Sequence, residues 1–142
     1  MPVDRELIFK KLDFLNKHIA SIENMEFGLE EFVNDEDIHD LVAFRLQQAV
    51  ETCIDISTHI ISTMNLSRKE TAKDAFLVLG ERKIIESELA LKMGKAADFR
   101  NRVVHGYNDF DYSLLFEDYQ ENLNDLREFG KQLLEAVNSS EN

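Results

Sequence analysis

One proline and five glycines in 142 residues leave this chain few ways to reverse direction tightly. Hairpins and short loops between strands depend on those two residue types, so a sheet-rich fold with many tight turns is disfavoured. What remains is helix. Hydrophobic residues make up 44% and charged residues 31%, which supplies a core and argues against disorder. The length fits a single domain over 1–142, with 1–3 and 138–142 expected to fray.

Periodicity places the helices. Asp4 is the expected N-cap of the first, followed by Ile8, Leu12, Leu15, Ile19 and Ile22 on one stripe. The stretch "ENMEFGLEEFVNDED" reads as a connection with room for a short helical turn. A long helix is predicted from about Glu36 to about Met64. Its apolar residues, among them Val42, Leu46, Val50, Cys53, Ile56 and Ile60, occupy more than one stripe. Four short helices would cover it poorly, so a subunit interface is expected. Glu51, Asp55 and His59 run along this helix at i, i+4, i+8, either as a solvent-facing edge or as a polar seam in a dimer. A short helix ending near Gly80, another from about Ser87 and a last one from Asp111 or Tyr112 complete the pattern. The expected fold is an all-α, up-down bundle of four to five helices, homodimeric.

Several function classes drop out. Cys53 is the single cysteine, so neither an intrachain disulfide nor a CxxC site exists, and a buried thiol is expected. No run approaches a membrane span. The N-terminal "MPVDRELIFKK" starts an amphipathic helix rather than a signal peptide, which leads to the expectation of a cytoplasmic protein without membrane contact. Phosphate-loop glycine motifs and HExxH are absent, and His18, His39, His59 and His105 stand far apart, so no metal site and no cofactor are expected. His18 and His39 lie among polar residues and are expected at the surface.

The net charge of −12 rules out a generally basic, nucleic-acid-coating surface. The charge is uneven, however. Glu23 to Asp40 holds eight acids and no Lys or Arg, while Arg82 to His105 holds six Lys or Arg against three acids. At the end of that basic segment stands "FRNRVVHGYNDFD". Arginine holds phosphate oxygens through its planar fork, and histidine moves protons near neutrality. RNA carries its own nucleophile in the 2′-hydroxyl, so Arg plus His suffices in principle for its cleavage. On an ideal helix Arg100 and His105 are about 140° apart. Gly106 suggests that the helix ends there, and distortion or a dimer mate would be needed to bring the two together. The spacing alone leaves a catalytic pair and an ordinary cationic helix C-terminus both open.

"RNRVVHGY" resembles the RNxxxH and Rx4HxY signatures of the HEPN superfamily, in its HepT-like branch, the toxin half of HepT–MntA toxin–antitoxin pairs. "FRLQQAVETCIDISTHIIS" resembles that branch's second helix, and the likeness runs roughly from residue 4 to 138. The resemblance implies a homodimer whose signature segments meet in a cleft, and metal-independent endoribonuclease activity. Arg100 would hold the phosphate, His105 would assist proton transfer and Asn101 would orient the site. Arg102 would lend supporting charge, and Glu51, Asp55 and His59 are candidates to line the cleft. Tyr107 would accept AMP from a partner nucleotidyltransferase resembling MntA, the antitoxin. The alternative is a non-catalytic HEPN dimer that binds such a partner or a nucleotide.

Overall fold

In the computed structural model the described residues are 3–64, 71–104 and 111–139, and all regular structure among them is α-helical. The helices are α1 (Arg5–Glu23), α2 (Leu29–Asn34), α3 (Glu36–Thr63), α4 (Ala72–Glu81), α5 (Ser87–Val104) and α6 (Tyr112–Ser139). Caps written in the sequence set several starts. Asp4 accepts from the Leu7 N–H at 3.1 Å and opens α1. Thr71 accepts from the Asp74 N–H and opens α4. Asp35 closes α2 and opens α3, accepting from the N–H groups of Asp37 and Ile38.

The acidic connection is more ordered than a single turn. Gly28 supplies an extended cap, α2 follows for six residues, and Phe32 goes fully into the core. This helix takes the count to six.

α3 is the axis of the bundle, packed against α1, α2, α4, α5 and α6. Val42, Leu46, Ala49, Val50, Cys53, Ile56, Ile60 and Ile61 are all buried within the one chain. The burial of these residues is thus supplied by the chain's own helices and does not by itself call for a second subunit, while Leu41 and Phe44 of the same helix stay exposed. The two buried hydroxyls of α3 bond back to its own carbonyls, Thr52 to Gln48 and Ser57 to Cys53, each at 2.8 Å. The helix thus buries them without an orphaned donor.

His39 is also a correction. It is buried rather than exposed. Its Nδ1 lies 2.8 Å from the Phe32 carbonyl oxygen, which only accepts, so Nδ1 carries the proton and donates. The ring stacks on Tyr112 with centroids 3.7 Å apart, joining α2, α3 and the start of α6. His18, likewise expected at the surface, is half-buried. Burial and the nearby Arg45 charge hold its imidazole below the usual pKa.

α5 lies close along α4 because Gly80 lacks a side chain. A Cβ there would stand 2.7 Å from the Cβ of Ala90. The inner face of α5 (Leu89, Ala90, Met93, Ala97) enters the core, and this sets where its C-terminal turn, with Arg100, is presented. Cys53 is fully buried, and burial pushes its thiol pKa far up. No described helix is long and apolar enough to cross a membrane.

Candidate active site

Arg100 sits in the last turn of α5, one residue after the buried Phe99. Its side chain turns towards α3. Nη1 lies 3.1 Å from Glu51 Oε1, with the two side chains 23% and 34% exposed. Those exposures place the pair at the rim of the core, where water has access to it. The Nε–H is shielded from solvent and has no hydrogen-bond partner among the described residues. An unpaired buried donor costs about 1–3 kcal/mol. Glu51 thus holds one nitrogen of the guanidinium, Nη1.

The other polar residues of α3 go elsewhere. Asp55 pairs with Lys11 of α1 at 3.3 Å. His59 Nε2 accepts from the Asp4 backbone N–H at 3.2 Å. Successive i+4 steps on a 3.6-residue helix advance about 40° each, which carries these two round towards α1. Of the three candidates on this line, Glu51 alone meets the signature arginine.

Asn101 and Arg102 are exposed and turn to a different side of α5. They line a groove of ≈ 990 Å³ between α5 and α6. Lys92, Lys95 and Arg102 stand on the α5 side, while Asp118, Glu121 and Asp125 stand on the α6 side, with Asp98 and Asp111 also present. Three cations thus share the groove with five carboxylates, three of them on the opposite wall, and the basic segment of the sequence is not a free basic patch. Burial raises the Asp125 carboxyl pKa, Lys92 opposes the shift and Glu121 adds to it. Asp111 Oδ1 accepts from the Ser113 hydroxyl and from the N–H groups of Ser113 and Leu114, which hold its carboxyl below the usual pKa and anchor the first turn of α6.

His105 follows Val104 directly in the chain, and Tyr107 comes two residues later. Both lie outside the described residues. The sequence missed the acidic wall on α6. Its carboxylates are spaced as an exposed helix face, and nothing in one sequence says which helix lies opposite.

An all-helical bundle with Arg100 in the last turn of its fifth helix is the arrangement expected of a protein of the HEPN class. A family model described as Ribonuclease HepT-like matches residues 15–133, and the chain belongs to that family. It is 27% identical over 124 residues to the mRNA nuclease HepT of Shewanella oneidensis, covering 87% of this chain and 93% of that protein. It is 32% identical over 111 residues to the tRNA nuclease HepT of Aphanizomenon flos-aquae, covering 78% of this chain and 71% of that protein. Among solved structures, the tri-AMPylated Shewanella oneidensis HEPN toxin in complex with its MNT antitoxin superposes with a TM-score of 0.83. There the identity is 26%, and the match covers 89% of this chain and 96% of that one.

Proposed function

We propose that the chain is a ribonuclease toxin of a toxin–antitoxin pair. In this reading it cleaves RNA without a metal ion. Arg100 holds the scissile phosphate, His105 moves a proton and Asn101 orients the segment. The protein works as a homodimer and is neutralised by a nucleotidyltransferase that adds AMP to Tyr107. The observation that carries the reading is Arg100, partly buried and tied to Glu51, at the signature position of a chain in a nuclease family. The relatives support the coarser part: two are named as nucleases of mRNA and tRNA, and a solved neighbour is an AMPylated toxin bound to its antitoxin.

The chemistry fits the residue types. Charge on the phosphate grows as the 2′-oxygen attacks, and a guanidinium already oriented by a carboxylate meets it without reorganising. Arg102 and the lysines of the α5 groove would extend the electrostatic contact with the RNA backbone, tempered by the carboxylates opposite.

Expression of the chain alone tests the reading. Growth arrest is expected, and it should be relieved by Arg100→Ala or His105→Ala. The purified protein should cut RNA in the presence of a chelator. Intact RNA, with toxicity unchanged in both variants, would favour the non-catalytic dimer instead.

A further inference from the structure

Cleavage of an RNA strand by its own 2′-hydroxyl needs two proton movements. A base removes the proton from the attacking oxygen, and an acid delivers one to the departing 5′-oxygen. The signature segment holds a single group of near-neutral reference pKa, His105. Arginine stays protonated, asparagine does not titrate, and a phenol with a reference pKa near 10 is a poor exchanger at neutral pH. One proton carrier is therefore missing from the segment itself.

α3 offers a candidate in the right place. Glu51 Oε1 lies 3.1 Å from Arg100 Nη1. A phosphate oxygen taken by Nη2 of the same guanidinium would sit beside that carboxylate. Glu51 is about one-third exposed, so a substrate hydroxyl has access to it. Asp55 and His59, on the same line of α3, are engaged by α1 and its N-cap.

We propose that Glu51 is the general base of the cleavage, with His105 as the acid. The assignment rests on the ribonuclease reading above. The 2′-O–H bond breaks and its proton passes to Glu51 Oε2 as the 2′-oxygen bonds phosphorus. The P–O5′ bond breaks, and the 5′-oxygen takes a proton from the His105 imidazolium. The products are a 2′,3′-cyclic phosphate and a 5′-hydroxyl. Water then returns the proton from Glu51 to bulk and reprotonates His105.

The test separates base from acid by the leaving group. Glu51→Gln and His105→Ala are assayed on RNA and on uridine 3′-(p-nitrophenyl phosphate), whose leaving group needs no proton. Both variants should lose about 100-fold or more on RNA, the scale of general acid–base catalysis. On the nitrophenyl ester His105→Ala should regain most of its rate and Glu51→Gln should not. Binding of an uncleavable 2′-O-methyl RNA by Glu51→Gln should fall far less than the rate, since the isosteric amide can keep the contact with Arg100 Nη1 while losing the proton acceptor. Full activity of Glu51→Gln overturns the assignment. So does its rescue by the nitrophenyl ester, or a loss of RNA binding as large as the loss of rate. Wild-type protein inert on both substrates would instead bring down the ribonuclease reading itself.

Discussion

Arg100 Nη1 and Glu51 Oε1 stand 3.1 Å apart, and the contact joins the end of α5 to the middle of α3. It fixes one nitrogen of the guanidinium and so decides which edge meets a ligand. Lysine at position 100 would keep the charge and the attraction to Glu51 but lose the fork. Arg100→Lys is expected to lower RNA cleavage by about 100-fold, the effect of losing one transition-state donor, with little change in melting temperature. Activity near wild type would mean that charge alone suffices at this position.

Gly80 and Ala90 mark the closest approach of α4 and α5. Gly→Ala in a helix interior ordinarily stabilises by up to about 1 kcal/mol. Here the new methyl would meet the Ala90 Cβ at 2.7 Å, so the helices would have to separate. Gly80→Ala is expected to destabilise by about 1–3 kcal/mol, the usual cost of overpacking. Chemical denaturation measures it, and adding Ala90→Gly should recover part of the loss. A gain in stability would show that the α4–α5 packing is loose.

Much of the bundle was legible in the sequence. The α1 stripe and its Asp4 cap, the span of α3, and the starts of α5 and α6 all follow from periodicity and capping chemistry. What periodicity does not carry is the number of neighbours around a helix. Hence the sequence could not show that five helices of the same chain cover most of the apolar surface of α3, with Leu41 and Phe44 left exposed. His39 misled for a related reason. Its sequence neighbours are polar, but its ring partners, Phe32 and Tyr112, come from α2 and α6. At the site, residue types and spacing pointed to Arg100, but only packing distinguishes Glu51 from Asp55 and His59.

Tyr112 provides a pH signature of that buried histidine's surroundings. Burial raises its phenol pKa, and the charge and hydrogen bond of Asp40, with the Glu36 charge, add to the shift. The folded state therefore holds the phenolic proton more tightly than the unfolded chain does. The resulting stability is complete below the unfolded pKa of about 10 and is lost as pH rises through the higher folded value. Melting temperatures between about pH 8 and 11 should fall more steeply for wild type than for Tyr112→Phe, which keeps a ring for the stack. Parallel slopes would contradict the shift. His39→Ala removes the ring and the Phe32 contact together and is expected to cost about 1–3 kcal/mol at any pH.

Asp125 works in the opposite pH range. Its carboxyl pKa is raised by burial and by Glu121, against the pull of Lys92. A raised folded pKa means that the neutral form is the one the fold favours. The associated stability is present at low pH, below the ordinary value of 3.8, and is lost as pH rises through the folded pKa. At pH 7 the ionised carboxylate is thus a cost. Asp125→Asn should melt about 2 °C higher than wild type at neutral pH. That advantage should shrink as the pH is lowered towards 3.8. A variant less stable than wild type at pH 7 would show that the Lys92 contact outweighs burial.

Tyr107 lies two residues past His105 in the sequence and is the residue on which the proposed antitoxin would act. Each AMP added to its hydroxyl forms a phosphodiester with one negative charge and carries a bulky nucleoside. Set close to Arg100 in sequence, that charge would compete for the guanidinium, and the nucleoside would fill space that RNA needs. The hydroxyl itself takes no part in the proposed cleavage. Tyr107→Phe should therefore arrest growth as wild type does, yet resist rescue when the nucleotidyltransferase is co-expressed. Wild-type protein purified from that co-expression should gain mass in adenylyl increments and lose RNA cleavage, while Tyr107→Phe does neither. Rescue of Tyr107→Phe by the partner, with no adenylyl group on the wild type, would assign neutralisation to masking rather than to modification.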